Sequence, residues 1–141
     1  MPSPATEEDH VDEFEEFADA LLSAAPAVAE ELRRDEEDLR PDMDFPTMWF
    51  GTAGTAIADA FDRLSDAELR TVFGLVERHL TSGSDLMGDC LTTGLLEAVA
   101  NAVSRGKVEG GVLAGLLGPQ SRRYVDAWDQ FTLGRSSLES P

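Results

Sequence analysis

Apolar residues return at three- and four-residue steps along almost the whole chain, and that spacing restricts it to packed α-helices. Val11, Phe14, Ala18, Leu21 and Leu22 fall on one helical stripe, with Glu8, Asp12, Glu15, Glu16 and Asp19 on the opposite face. Pro26 either kinks this helix or takes the first position of a second one. Val28, Leu32 and Leu39 continue a weaker stripe as far as Arg40-Pro41, where the proline pushes its predecessor out of the α region. Beyond the turn Asp42-Met-Asp-Phe-Pro, a third stripe runs Phe45, Met48, Trp49, Ala53, Ala56, Ile57, Ala60, Phe61 and Leu64. Gly51 and Gly54 interrupt it. Each costs a helix about 1 kcal/mol, so both point to a neighbour packed close against them.

Ser65-Asp-Ala-Glu68 has the spacing of a capping box and opens a helix with Leu69, Val72, Phe73, Val76 and Leu80 inside. Ser84 or Asp85 caps the next, whose stripe of Met87, Cys90, Leu91, Gly94, Leu95, Ala98, Val99, Ala102 and Val103 is the most apolar of all and belongs at the centre. Gly106 suits a left-handed position after its end. Val108, Val112, Leu116 and Leu117 give a short helix stopped at Gly118-Pro119. Tyr124, Val125, Trp128 and Phe131 give the inner face of a last one, ended by Gly134. No stretch alternates with period two, and there is no internal repeat. The expectation is an all-α, irregular single-domain bundle of about six helices over residues 1–134, with a loose N-terminus at 1–6 and a flexible tail at 135–141.

Leu, Ile, Val and Phe number 34 of 141 residues, above the roughly 20% below which a highly charged chain stays disordered. The net charge of −17 argues against direct contact with nucleic acid or an anionic membrane, whose phosphates would be repelled. The longest weakly charged apolar run, Val108 to Leu117, is about half the roughly 20 residues a membrane span needs. Met1-Pro-Ser-Pro-Ala-Thr shows no basic stretch followed by an apolar one, so the expected compartment is the cytoplasm. One cysteine leaves no internal disulfide framework.

The candidate chemical sites are few. Glu7-x-x-His10 has helical carboxylate–histidine spacing, but His79 has no Glu three residues before it, so no metal site is expected. Cys90 lies on an apolar stripe, away from the only body histidine, His79, and reads as a buried thiol. His79 reads as a last-turn residue meeting helix carbonyls. Gly111-x-x-x-Gly115 lacks the Lys-Ser/Thr of a phosphate loop and reads as a flat face for close packing or for a partner helix. Glu97 interrupts the central stripe and requires a partner, with Arg122 or Arg123 within reach. No catalytic residue, cofactor or metal is expected.

Acid is unevenly distributed. Residues 1–66 carry 19 acids and 4 bases, whereas residues 67–141 carry 9 and 7. The expected partner-binding residues are Glu8, Asp12, Glu15, Glu16 and Asp19 on the first helix, Asp35, Glu36, Glu37 and Asp38 after the second, and Asp42 and Asp44 in the turn. They suit either a solvated face or a surface complementary to a basic protein.

Thr93-Gly-Leu-Leu-Glu-Ala-Val-Ala-Asn101, Leu117-Gly-Pro-Gln-Ser-Arg-Arg-Tyr124 and Trp128-Asp-Gln-Phe-Thr132 lie within residues 80–134. This part of the chain resembles a family of small bacterial helical proteins, some of which are similar to immunity proteins encoded beside polymorphic or contact-dependent toxins. The resemblance implies a non-enzymatic inhibitor and carries no catalytic residues. With the charge, it gives the leading expectation: an acidic immunity or antitoxin-type protein that blocks a basic toxin domain, including a nuclease. The alternatives are an interaction or scaffold module whose acidity reflects its host's composition, and a small-ligand binder or enzyme built around Glu97. Oligomeric state is open.

Overall fold

A computed structural model of the chain describes residues 7–35, 41 and 44–134. The expected loose N-terminus (1–6), the tail (135–141) and Leu39 at the end of the second stripe lie outside these residues. Among the described residues all regular structure is helical and none is strand: α1 (Glu7–Ala24), α2 (Pro26–Asp35), α3 (Pro46–Ala60), α4 (Asp66–Ser82), α5 (Asp85–Cys90), α6 (Glu97–Ser104), α7 (Gly110–Leu116) and α8 (Pro119–Leu133). A 3₁₀ turn, Phe61–Arg63, prolongs α3. A π-helical stretch, Leu91–Leu96, joins α5 to α6 in one rod, so the described residues form seven helical units rather than about six.

Local chemistry explains the boundaries. Pro26 opens a separate helix rather than kinking the first, with the Ala25 N–H closing α1 on Leu21 O at 3.0 Å. Ser65 and Glu68 form the capping box: Ser65 N–H donates to Glu68 Oε1 at 2.8 Å and Glu68 N–H to Ser65 Oγ at 3.1 Å. Ser84, not Asp85, caps α5. Gly106 and Gly134 take left-handed φ of 79° and 69°, which glycine adopts without strain.

The core is one continuous cluster around the α5–π–α6 rod. Phe14 and Phe17 of α1 close on Phe50 of α3, with ring centroids 5.5 and 5.3 Å apart, and Phe17 meets His79 edge-on at 5.3 Å. Trp49 is buried beside Phe50. The closest helix crossing is that of α3 on the rod. A β-carbon on Gly54 would strike the Leu95 carbonyl oxygen and lie 2.9 Å from Ala98 Cβ. One on Gly94 would lie 2.8 Å from both Phe50 Cβ and Thr47 O. Glycine is required there by contact, not by backbone conformation. At the entry to the π stretch, Thr92 and Thr93 hydroxyls donate to the carbonyls of Gly88 and Asp89, satisfying backbone oxygens where the helix widens.

Four apolar residues expected inside are outside. Phe45 is 62% exposed and Met48 70%, because α3 turns its Trp49–Phe50–Ala53 side to the core. Val112 is also exposed, and Phe131 is 86% exposed. In α8 the buried line is Ser121, Val125 and Asp129, with Tyr124 and Trp128 at its margin, so polar residues hold positions that apolar periodicity assigns elsewhere. The Gly111–Gly115 face of α7 is not a packing face: Leu113 alone is buried, and nothing lies within 4 Å of a β-carbon on Gly115.

Candidate functional site

Two of the acids act inside the fold. Glu13 reaches from α1 to the start of α5, where its Oε1 accepts the Ser84 N–H at 2.7 Å and its Oε2 the Ser84 hydroxyl at 2.6 Å. His10 Nδ1 lies 3.6 Å from the same Oε2. Glu77 does the same for α8, which is preceded at the capping position by Gly118, with no side chain to cap with, and begins at Pro119, with no N–H. Its Oε2 accepts Gln120 N–H at 3.0 Å and its Oε1 accepts the Ser121 N–H and hydroxyl, each at 2.9 Å. Burial works to raise the Glu77 pKa, but the Ser121 and Gln120 N–H groups, the Ser121 hydroxyl and Arg123 together outweigh it and hold the group below its ordinary value. Sequence reading missed both roles. A helix that opens on Gly-Pro with no capping side chain of its own was the available signal.

The other acids of the N-terminal half differ in what they engage. Asp12, Glu16 and Asp19 are exposed on one side of α1 and make no hydrogen bond or ion pair with another described residue, and α1 contains no Lys or Arg. Glu15 is half-buried, and it and Asp44 are engaged in contacts of their own. Glu8 and Asp35 sit on α1 and at the end of α2, with their side chains outside the described set. Glu36, Glu37, Asp38 and Asp42 lie outside the described residues altogether. On α2, Glu30 and Glu31 pair with Arg63 from the turn after α3, which ties the acidic N-terminal half to the core helices.

Glu97 finds neither Arg122 nor Arg123. Arg122 turns to Asp126 at 3.2 Å and Arg123 to Gln120 at 3.4 Å. The partner is Tyr124, whose hydroxyl donates to Glu97 Oε2 at 3.3 Å. Burial, then the Glu97 charge and this hydrogen bond, push the phenol up to about 12. Glu97 is half-buried and forms part of the wall of an open groove of about 580 Å³ between α3 and the rod. Met48, Thr52 and Thr55 line it from α3, and Thr93, Glu97 and Asn101, four residues apart, line it from the rod. Gly51, Gly94 and Ala98 lie between them, too small to fill it. An adjoining hollow of about 240 Å³ shares Thr55, Ala98 and Asn101 and ends at Ser104 and Arg105. The π stretch borders this groove, and such wide turns recur at functional sites.

The other candidates are structural. Cys90 is fully buried; burial pushes its thiol up, the Thr47 hydroxyl at 3.7 Å works against this, and the Asp89 and Glu13 charges raise it further. That keeps the sulfur protonated, the opposite of what a nucleophile needs. His79 is buried with Nδ1 3.0 Å from Leu75 O, as expected of a last-turn residue. Among the described residues no three His, Cys, Asp or Glu converge as a metal cluster, and no helix is long and apolar enough to cross a membrane.

Compared with known proteins, residues 18–133 match a family model described as a domain of unknown function (DUF7674). No curated protein and no solved structure matches.

Proposed function

The chain belongs to the DUF7674 family, and we propose that it is a non-enzymatic binding domain that docks a basic protein through the outer face of α1, as an immunity or antitoxin-type inhibitor does with its toxin. The observation that carries this reading is the ridge of Asp12, Glu16 and Asp19: three exposed carboxylates at four- and three-residue steps, unpaired among the described residues, on a helix without a Lys or Arg. Charges spent on internal pairing are drawn from elsewhere, Glu13 to Ser84 and Glu30 and Glu31 to Arg63, so this ridge is left to face outward. A rigid row of negative charge steers association with a basic surface such as the phosphate cleft of a nuclease toxin. The family of small helical proteins resembled by residues 80–134 supports the same inhibitor class.

The test uses the protein encoded by the adjacent open reading frame as the candidate partner. Wild type should bind it and protect cells that express it. Asp12→Lys, Glu16→Lys and Asp19→Lys together should fold normally and bind more slowly at low ionic strength, with the difference fading near 1 M salt, where the Debye length is about 3 Å. Equal association rates at low salt would overturn the docking face.

A further inference from the structure

The groove between α3 and the rod has a donor–acceptor balance of its own. Each of its three threonines spends its hydroxyl hydrogen within its own helix: Thr52 on Met48 O at 3.0 Å, Thr55 on Gly51 O at 3.1 Å and Thr93 on Asp89 O at 2.6 Å. Their oxygens keep acceptor capacity alone. Glu97, part of the groove lining, adds a carboxylate whose Oε2 accepts the hydroxyl of Tyr124, a residue outside that lining, and whose Oε1 makes no hydrogen bond with a described residue. Asn101, exposed one turn on, contributes an amide that can present its oxygen. The surface is therefore rich in acceptors, carries one negative charge and offers few donors. Such a set recognises a cation with many N–H groups, and a guanidinium with five donors uses more of it than an ammonium with three.

Two features define the occupant further. Arg105 closes the adjoining hollow and makes no ion pair with a described carboxylate, so its charge disfavours a cation at that end and favours the Glu97 end. At the opposite end Met48 is 70% exposed, with Phe45 exposed one turn before it, an apolar lip suited to the residue that flanks a bound side chain. We propose that this groove seats an arginine side chain of a partner polypeptide, with Glu97 and the groove threonines and Asn101 holding the guanidinium and Met48 and Phe45 contacting an apolar neighbour. This rests on the reading of the domain as a binder of a basic protein and gives that protein a second, specific point of contact apart from the charged ridge of α1.

The groove can be tested without the partner, on the full chain labelled with ¹⁵N, by titrating Nα-acetyl-arginine amide and its neutral isostere Nα-acetyl-citrulline amide. The arginine probe should shift the amide signals of Gly51, Thr52, Thr93, Gly94 and Asn101 saturably, and the citrulline probe should not. Glu97→Gln, which keeps an oxygen for Tyr124, should weaken the arginine probe by about tenfold or more. Asn101→Ala, at an exposed position that leaves the fold alone, should weaken it by a smaller factor. Absence of saturable shifts, equal response to citrulline, an unchanged affinity in Glu97→Gln, or shifts confined to α1 would each overturn the proposal. If the groove fails while α1 charge reversal still slows partner association, the docking reading survives without it. If the groove binds and α1 reversal has no effect, the ridge is the part that falls.

Discussion

The carboxylate of Glu77 occupies the space that a side chain on Gly118 would need: a β-carbon there would lie 2.6 Å from Glu77 Oε1 and closer still to Cγ. The glycine is at φ −74°, so the constraint is this contact and not the backbone. Glu77→Ala leaves the Gln120 N–H and the buried Ser121 without their acceptor and should cost about 2–3 kcal/mol in urea unfolding. Gly118→Ala should destabilise by displacing the same carboxylate. The double variant should then be little worse than the more damaging single one, because both changes remove one interaction.

The same carboxylate gives the fold a pH signature. Its folded pKa is below the ordinary glutamate value of 4.5, so its contribution is present above that pH and is lost as pH falls through the folded pKa. Wild type should melt above Glu77→Gln at pH 7, and the gap should close in melts taken progressively below about pH 4.5. A gap that widens in acid would contradict a lowered Glu77 pKa in the folded protein.

Tyr124 is the chain's only tyrosine, so its ionisation can be followed directly by ultraviolet absorbance. Its phenol should titrate near 12 in the folded protein. In Glu97→Gln the midpoint should drop, while staying above the ordinary 10 because burial, the largest cause, remains. A raised phenol pKa stabilises the fold below the unfolded value and loses that stabilisation as pH rises through the folded one. Alkaline unfolding should therefore begin above pH 10.

Glycine-to-alanine substitutions should divide by contact. Gly54→Ala forces a methyl against the Leu95 backbone and Ala98 Cβ, and should lose about 1–3 kcal/mol even after the gain in helix propensity. Gly74→Ala, in α4 with nothing within 4 Å, should gain up to about 1 kcal/mol. Thermal melts of the two variants should move in opposite directions.

Leu95 is fully buried on the rod, and its truncation to alanine should cost about 2–5 kcal/mol. Glu16→Ala, on the exposed side of α1, should change stability by less than about 0.5 kcal/mol. Similar melting temperatures for the two would contradict the placement of the rod at the centre.

What the sequence disclosed was local. The Ser65–Glu68 box, the left-handed Gly106, the buried Cys90 and the close approach at Gly54 each depend on a few neighbouring residues, and each is present as expected. What it hid depended on how helices are rotated about their axes. The inner line of α8 is marked by Ser121 and Asp129 rather than by Phe131, which turns Tyr124 and not its neighbours Arg122 and Arg123 toward Glu97. The groove was hidden for a related reason. Thr52, Thr55 and Thr93 are unremarkable as separate polar residues and become a surface only when Gly54 and Gly94 bring their helices together, whereas Gly51, also expected to pack closely, would leave a β-carbon at an ordinary 3.9 Å from Gly94 O.

The π stretch at Leu91–Leu96 gives the rod one place where its length can change without changing its phase. An α-helix turns roughly 100° per residue, and a wide turn takes up about one extra residue at the point where α3 crosses. Deleting a single residue between Leu91 and Leu96 would let the rod rewind as uniform α-helix, with Val99 and Ala102 still facing the core on the same side as Met87 and Cys90. The same deletion within α6, outside the wide turn, would rotate everything after it by about 100° and carry Ala102 out of the core. A one-codon deletion would therefore be absorbed at the crossing and would dephase the helix a turn or two later.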